Sequence, residues 1–170
     1  MPVIDTQRHD DAFTVVAEFA APVERVWQLW EDPRKVERWW GPPGYPARFV
    51  RHDFTVPGKS IYYMASEDGT PASADGTDAT SYAAWSFVSI QAPTALEIDN
   101  GFSDEAGEPV GDYPWNRFSV RLEPTVSGTR MTVRTSFETA EELEQMLGLG
   151  MLDGFLAALT QTDAILAERT

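Results

Sequence analysis

At 170 residues, with 42% hydrophobic and 12% aromatic side chains, the chain is sized for one folded domain around a single core. Its formal net charge of −14, from 27 acids against 13 Lys and Arg, is repelled by phosphate backbones and anionic bilayers, so neither nucleic acid nor membrane is expected as a partner. The absence of cysteine excludes disulfides, thiolate metal sites and cysteine nucleophiles, and no apolar run approaches the roughly 18 residues that cross a bilayer as a helix.

The N-terminus, "MPVIDTQRHDDAF", lacks the basic segment and apolar core of a signal peptide, which leads us to expect a cytoplasmic protein. Residues 1–11 are expected to fray. "AFTVVAEFA" over 12–20 is rich in β-branched and aromatic residues and predicts a strand. In "APVERVWQLWED" the positions Val23, Val26, Trp27 and Trp30 sit at helical spacing, with Pro22 suited to the first turn. "DPRKVERWW" predicts a second short helix, capped by Asp32 with Pro33 just inside, and "GPPGYP" must end it. Trp39, three residues beyond Val36, is expected to face the core or a cavity, with Trp40 nearer the surface.

Six further strands are predicted at about 46–55, 58–67, 80–91, 94–102, 115–124 and 129–138. Their separators, such as "VPGK", "QAPTA" and "TVSGT", carry turn chemistry, and such close spacing favours an antiparallel meander. No Lys or Arg occurs between Lys59 and Arg117, whereas acids recur there, giving solvated loops or an acidic rim that disfavours anionic ligands or attracts a basic partner. Residues 139–167 predict one long helix, capped by Thr139 with acids in its first turn. The whole chain, 1–170, is then a single α+β domain in which the sheet grips this helix.

Gly148, Gly150 and Gly154 fall within two turns of that helix, at a cost of about 0.5–1 kcal/mol each relative to alanine. They indicate close packing, a kink, or space held open beneath the helix. Met146, Met151 and Phe155 would border such a space from the helix side. From the sheet, Phe49, Met64, Trp85, Phe87, Ile98, Phe118, Met131 and Val133 would face it, with Trp39 as a further wall. Arg51, His52, Tyr62, Tyr82 and Asn100 are candidate orienting groups. Catalytic signals are sparse: His9 and His52 are the only histidines, and Arg51, His52 and Asp53 alternate between strand faces. No cofactor or metal is expected, since nucleotide and zinc motifs are missing and "SADGTD" lacks the ligand spacing of a calcium loop.

"APVERVW" and "DPRKVERWWGP" resemble the opening of the activator of heat shock protein 90 ATPase homologue-like family, within the START/SRPBCC (helix-grip, Bet v 1-like) superfamily. "YYMASEDG", "WSFVSIQAPTALEIDNGFSDEAGEP" and "LGLGMLDGFLAALTQTDAIL" fit the same pattern, so the resemblance runs from about Phe13 to Leu166. It implies seven antiparallel strands wrapped around the long C-terminal helix and an internal hydrophobic cavity. Two stretches depart from the family pattern, "TVPGKSIYYM" and the long loop "SEDGTPASADGTD", both where a cavity mouth would be shaped. The expected function is binding of a small hydrophobic molecule, as carrier or sensor, by a monomer or homodimer. The alternatives are a polyketide cyclase or aromatase-like enzyme using the same cavity, and a co-chaperone-like module docking a protein partner through Trp39 and Trp40.

Overall fold

A computed structural model describes residues 3–41, 43–65, 82–111 and 113–168. In chain order they form β1 (Val3–Arg8), β2 (Ala12–Phe19), α1 (Val23–Glu31), α2 (Pro33–Trp39), β3 (Ala47–His52), β4 (Gly58–Met64), β5 (Tyr82–Gln91), β6 (Ala95–Ser103), β7 (Asn116–Pro124) and β8 (Thr129–Ser136). Three helical segments follow: α3 (Ala140–Gly148), α4 (Met151–Leu159) and α5 (Thr162–Ala167). Among the described residues, eight strands join one antiparallel sheet in the order β1-β2-β8-β7-β6-β5-β4-β3. None of the helices is long and apolar enough to cross a membrane.

Alternation builds the inner face of the sheet. Along β7, Asn116, Phe118, Val120 and Leu122 turn inward, and along β8 Thr129, Met131, Val133 and Thr135 do the same. The register sets Val120 opposite Val133 and Leu122 opposite Met131, while β2 sets Val15 and Ala17 against the other side of the same two residues. Each large side chain withdrawn from water in this way contributes about 1.5–3 kcal/mol. The helices α1 and α2 bring four more large apolar groups, Trp27, Leu29, Trp30 and Trp39, into full burial. Asp32 caps α2 as its sequence indicates, its carboxylate accepting from the Arg34 amide at 2.9 Å with Pro33 in the first turn.

Three expectations need correction. Residues 3–8 are not frayed: they form edge strand β1, laddered to β2 from Val3↔Ala17 to Arg8↔Phe13. Its largely exposed, polar side chains leave backbone pairing as the main attachment, and charged residues suit a sheet edge. The sheet has eight strands, not seven, because of this addition. The single helix over 139–167 is broken twice. After Thr139 caps α3 by accepting from the Glu142 amide, Gly150 adopts φ +86° and the chain restarts as α4. A second break at Thr160 and Gln161 leads into α5. The loop "SEDGTPASADGTD", like the predicted strand ends at 66–67 and 80–81, lies outside the described residues.

Candidate functional site

Between the inner sheet face and the α3–α4 segment lies a cavity of about 360 Å³. This is near the lower end of the roughly 300–1,000 Å³ of small-molecule sites. The sheet contributes Tyr62, Tyr63 and Met64 from β4, Ala83 from β5, Asn100 to Phe102 from β6, and Asn116 and Phe118 from β7. The helical side contributes Met146, Leu149, Gly150, Met151, Gly154 and Phe155. Among the described residues, no Asp, Glu, Lys, Arg or His lines the cavity. A wider depression of about 530 Å³ lies over Ala20–Glu24 and the turns at Pro93–Thr94 and Pro124–Gly128, but it is an open surface between loops with no aromatic wall.

The helix glycines acquire a physical reason here. A Cβ added at Gly148, Gly150 or Gly154 would meet no heavy atom within 4 Å, so close packing does not require them. Gly150 is needed for its left-handed backbone, which turns α3 into α4. Gly154 borders the cavity and leaves it space.

Of the tandem tryptophans, Trp39 faces the core as expected, whereas Trp40 is buried at the cavity wall rather than lying near the surface. Trp39 ends α2 on the face that packs against α1, fully buried, and its indole donates to the Leu29 carbonyl at 2.7 Å. Trp40 has left the helix for an extended conformation, φ −78° and ψ 107°, and this carries its ring to the cavity wall. There its centroid lies 5.0 Å from that of Trp85, 5.5 Å from Phe118 and 6.1 Å from Phe155. Only 7% of Trp40 and none of Trp39 reaches solvent, which removes the exposed docking patch proposed for the pair.

A polar chain crosses the sheet face at the cavity. The Tyr62 hydroxyl donates to Asn100 Oδ1 at 2.7 Å, and Asn100 Nδ2 donates to Asn116 Oδ1 at 3.1 Å. Burial pushes the Tyr62 phenol well above its ordinary value, and the neighbouring Trp40 and Trp85 side chains only partly oppose this. Tyr62 is therefore a neutral donor across the physiological range. The indole N–H groups of Trp40 and Trp85 are buried and have no hydrogen-bond partner among the described residues.

Of the residues expected around a cavity, Tyr62, Met64, Phe118, Met146, Gly150, Met151, Gly154 and Phe155 line it. Eight do not. Trp39 is buried at the end of α2 against α1, and Trp85, Phe87, Ile98, Met131 and Val133 are buried in the core behind the cavity, because the meander places their inward side chains deeper beneath α1 and α2. Phe49 stacks on Tyr62 at 4.9 Å and 19°, one layer removed. Arg51 follows an irregularity in the β3–β4 register and turns outward, paired with Asp53 at 2.5 Å. Of the other orienting candidates, Asn100 lines the cavity whereas Tyr82 packs edge-on against Tyr63. His52 is occupied elsewhere: Nδ1 meets Ser60 Oγ at 2.7 Å, and Nε2 donates toward the Trp30 and Glu31 carbonyls at 3.1 and 3.0 Å. It closes the C-terminal end of α1. Sequence reasoning missed Trp40 and Asn116; the unusual asparagine among the apolar inward positions of β7 was the available signal.

An antiparallel sheet closed over C-terminal helices, with a neutral apolar cavity between them, defines the helix-grip class of START/SRPBCC proteins. Residues 20–167 match the profile of the family described as activator of Hsp90 ATPase homolog 1-like protein, and the chain belongs to that family. A protein from Arthrobacter aurescens is 44% identical, with 99% of this chain and 94% of that one covered and a TM-score of 0.86. Protein Ms6760 from Mycobacterium smegmatis is 33% identical over 99% of both chains, with a TM-score of 0.83. CalU16 from Micromonospora echinospora, at 17% identity, 96% and 84% coverage and a TM-score of 0.60, shares the fold. None of the curated proteins compared with the chain matches it.

Proposed function

We propose that this protein binds a small hydrophobic molecule between its sheet and the α3–α4 segment, as a carrier or sensor. The observation that carries this reading is the cavity itself: among the described residues its walls are aromatic and methionine side chains, with no ionisable group beyond two tyrosines. Methionines such as Met64, Met146 and Met151 adapt to a guest without a fixed shape of their own. A cyclase-like reaction would need a base or acid in the cavity. His52 lies outside the cavity lining, with both ring nitrogens engaged, and Tyr62 is held neutral, so binding without chemistry is the better-supported reading.

The test compares the wild-type protein with Gly154→Leu, whose added side chain enters open space and fills the cavity from α4. Thermal unfolding is followed with and without ethylnaphthalene. A raised melting temperature is expected for the wild type, and none for the folded variant. An unshifted wild type, or an equal shift in both proteins, would overturn the reading.

A further inference from the structure

We infer that the guest of this cavity is a neutral molecule carrying a hydrogen-bond-acceptor oxygen, a ketone, quinone, ester or ether, which it presents to Asn116. The inference rests on the binding role proposed above and specifies its chemistry. It begins with the polar chain Tyr62–Asn100–Asn116, whose direction decides what the cavity offers. The Tyr62 hydroxyl gives its proton to Asn100 Oδ1 at 2.7 Å, so Asn100 is the acceptor of that pair. Asn100 then turns its amide nitrogen to Asn116 Oδ1, leaving Asn116 Nδ2 at the end of the chain.

That nitrogen is buried and has no partner among the described residues; the same holds for Trp40 Nε1. Both belong to residues that wall the cavity, and only 4% of Asn116 is exposed. A buried donor left unmade is costly, so a site with surplus donors favours a guest that brings an acceptor. Charge narrows the class further. A carboxylate placed here would meet neutral donors and, among the described residues, no cation, and would enter a protein of net charge −14. An ammonium would meet no carboxylate among the described lining residues. A neutral acceptor satisfies Asn116 and suits the aromatic walls, Trp40, Phe118 and Phe155, that receive the rest of the molecule.

A matched series tests this: acetylnaphthalene, ethylnaphthalene and naphthoate, titrated calorimetrically into the wild type and into Asn116→Leu. In the wild type the ketone is expected to bind about tenfold tighter than the hydrocarbon, roughly one well-made buried hydrogen bond, and naphthoate weakest. Asn116→Leu should erase the ketone's advantage while ethylnaphthalene still binds. In the wild type alone, the ketone should shift the Asn116 side-chain amide resonances in a nitrogen-proton spectrum, a readout that needs no variant. Equal binding of ketone and hydrocarbon, with unmoved Asn116 resonances, would overturn the inference and leave the cavity reading intact. Tightest binding by naphthoate would also overturn it. If no member of the series binds, the binding role fails and takes the inference with it.

Discussion

The side-chain amide of Gln161 donates to the Gly41 carbonyl at 2.8 Å, joining the break between α4 and α5 to the turn that follows Trp40. Gly41 holds φ +117° there, where a Cβ would press on Met64 Sδ at 2.9 Å. One amide thus braces the helical side of the cavity against the segment that carries its tryptophan wall. Replacing Gln161 with Leu should leave the Gly41 carbonyl without this donor and lower stability by about 1 kcal/mol, read as a lower urea midpoint at unchanged slope.

Gly150 and Gly154 are four residues apart and should respond oppositely to alanine. At Gly150 the backbone has φ +86°, so Gly150→Ala should cost about 1–2 kcal/mol although nothing obstructs the methyl group. At Gly154, inside α4 and facing open space, Gly154→Ala should gain roughly 0.5–1 kcal/mol. Urea denaturation of the two variants checks both signs. A stabilised Gly150→Ala would show that the left-handed turn is not what that position requires.

The strands were legible because their inward residues alternate and their turns carry proline and glycine, as in β7 and β8 around "TVSGT". β1 was not, since "VIDTQR" is held by backbone pairing at an edge and carries little apolar alternation. The helix break was half legible: the glycines marked the place, but a glycine for backbone freedom and a glycine for space look alike in a sequence. Periodicity indicated that Met64, Phe118, Met146, Met151 and Phe155 turn inward, but not which inward residues border the cavity and which pack in the core behind it, and the place of Trp40 depends on α2 ending at Trp39. Asn116 gains its meaning only from Tyr62 and Asn100, which reach it through pairing across strands distant in sequence.

The two tryptophans should therefore differ when each is replaced by phenylalanine. Trp39→Phe removes the donor that satisfies the buried Leu29 carbonyl, whereas Trp40→Phe removes an N–H without a partner. The first should be less stable than the second by about 1 kcal/mol. Differential scanning calorimetry of the pair measures it. Ligand-induced fluorescence change should diminish in Trp40→Phe and persist in Trp39→Phe, because only Trp40 lines the cavity.

His52 gives the fold a dependence on pH. Burial lowers its folded-state value, opposed in part by the Glu31 and Trp30 carbonyls it donates to and by the charges of Asp32 and Asp53. The unfolded imidazole titrates near its ordinary value of about 6.5, so below that pH the unfolded chain binds the proton first. The contribution is complete above the unfolded value and is lost as pH falls through the lowered folded value. Protonation would also put a proton on Nδ1, which now accepts from Ser60 Oγ. His52→Gln keeps hydrogen-bonding capacity without the titration, so the stability difference between it and the wild type should change between neutral pH and mildly acidic pH, with the wild type falling further. Urea midpoints measured across that window decide it. Parallel curves for the two proteins would mean that the imbalance of acids elsewhere on the surface, and not the buried imidazole, sets the acid response.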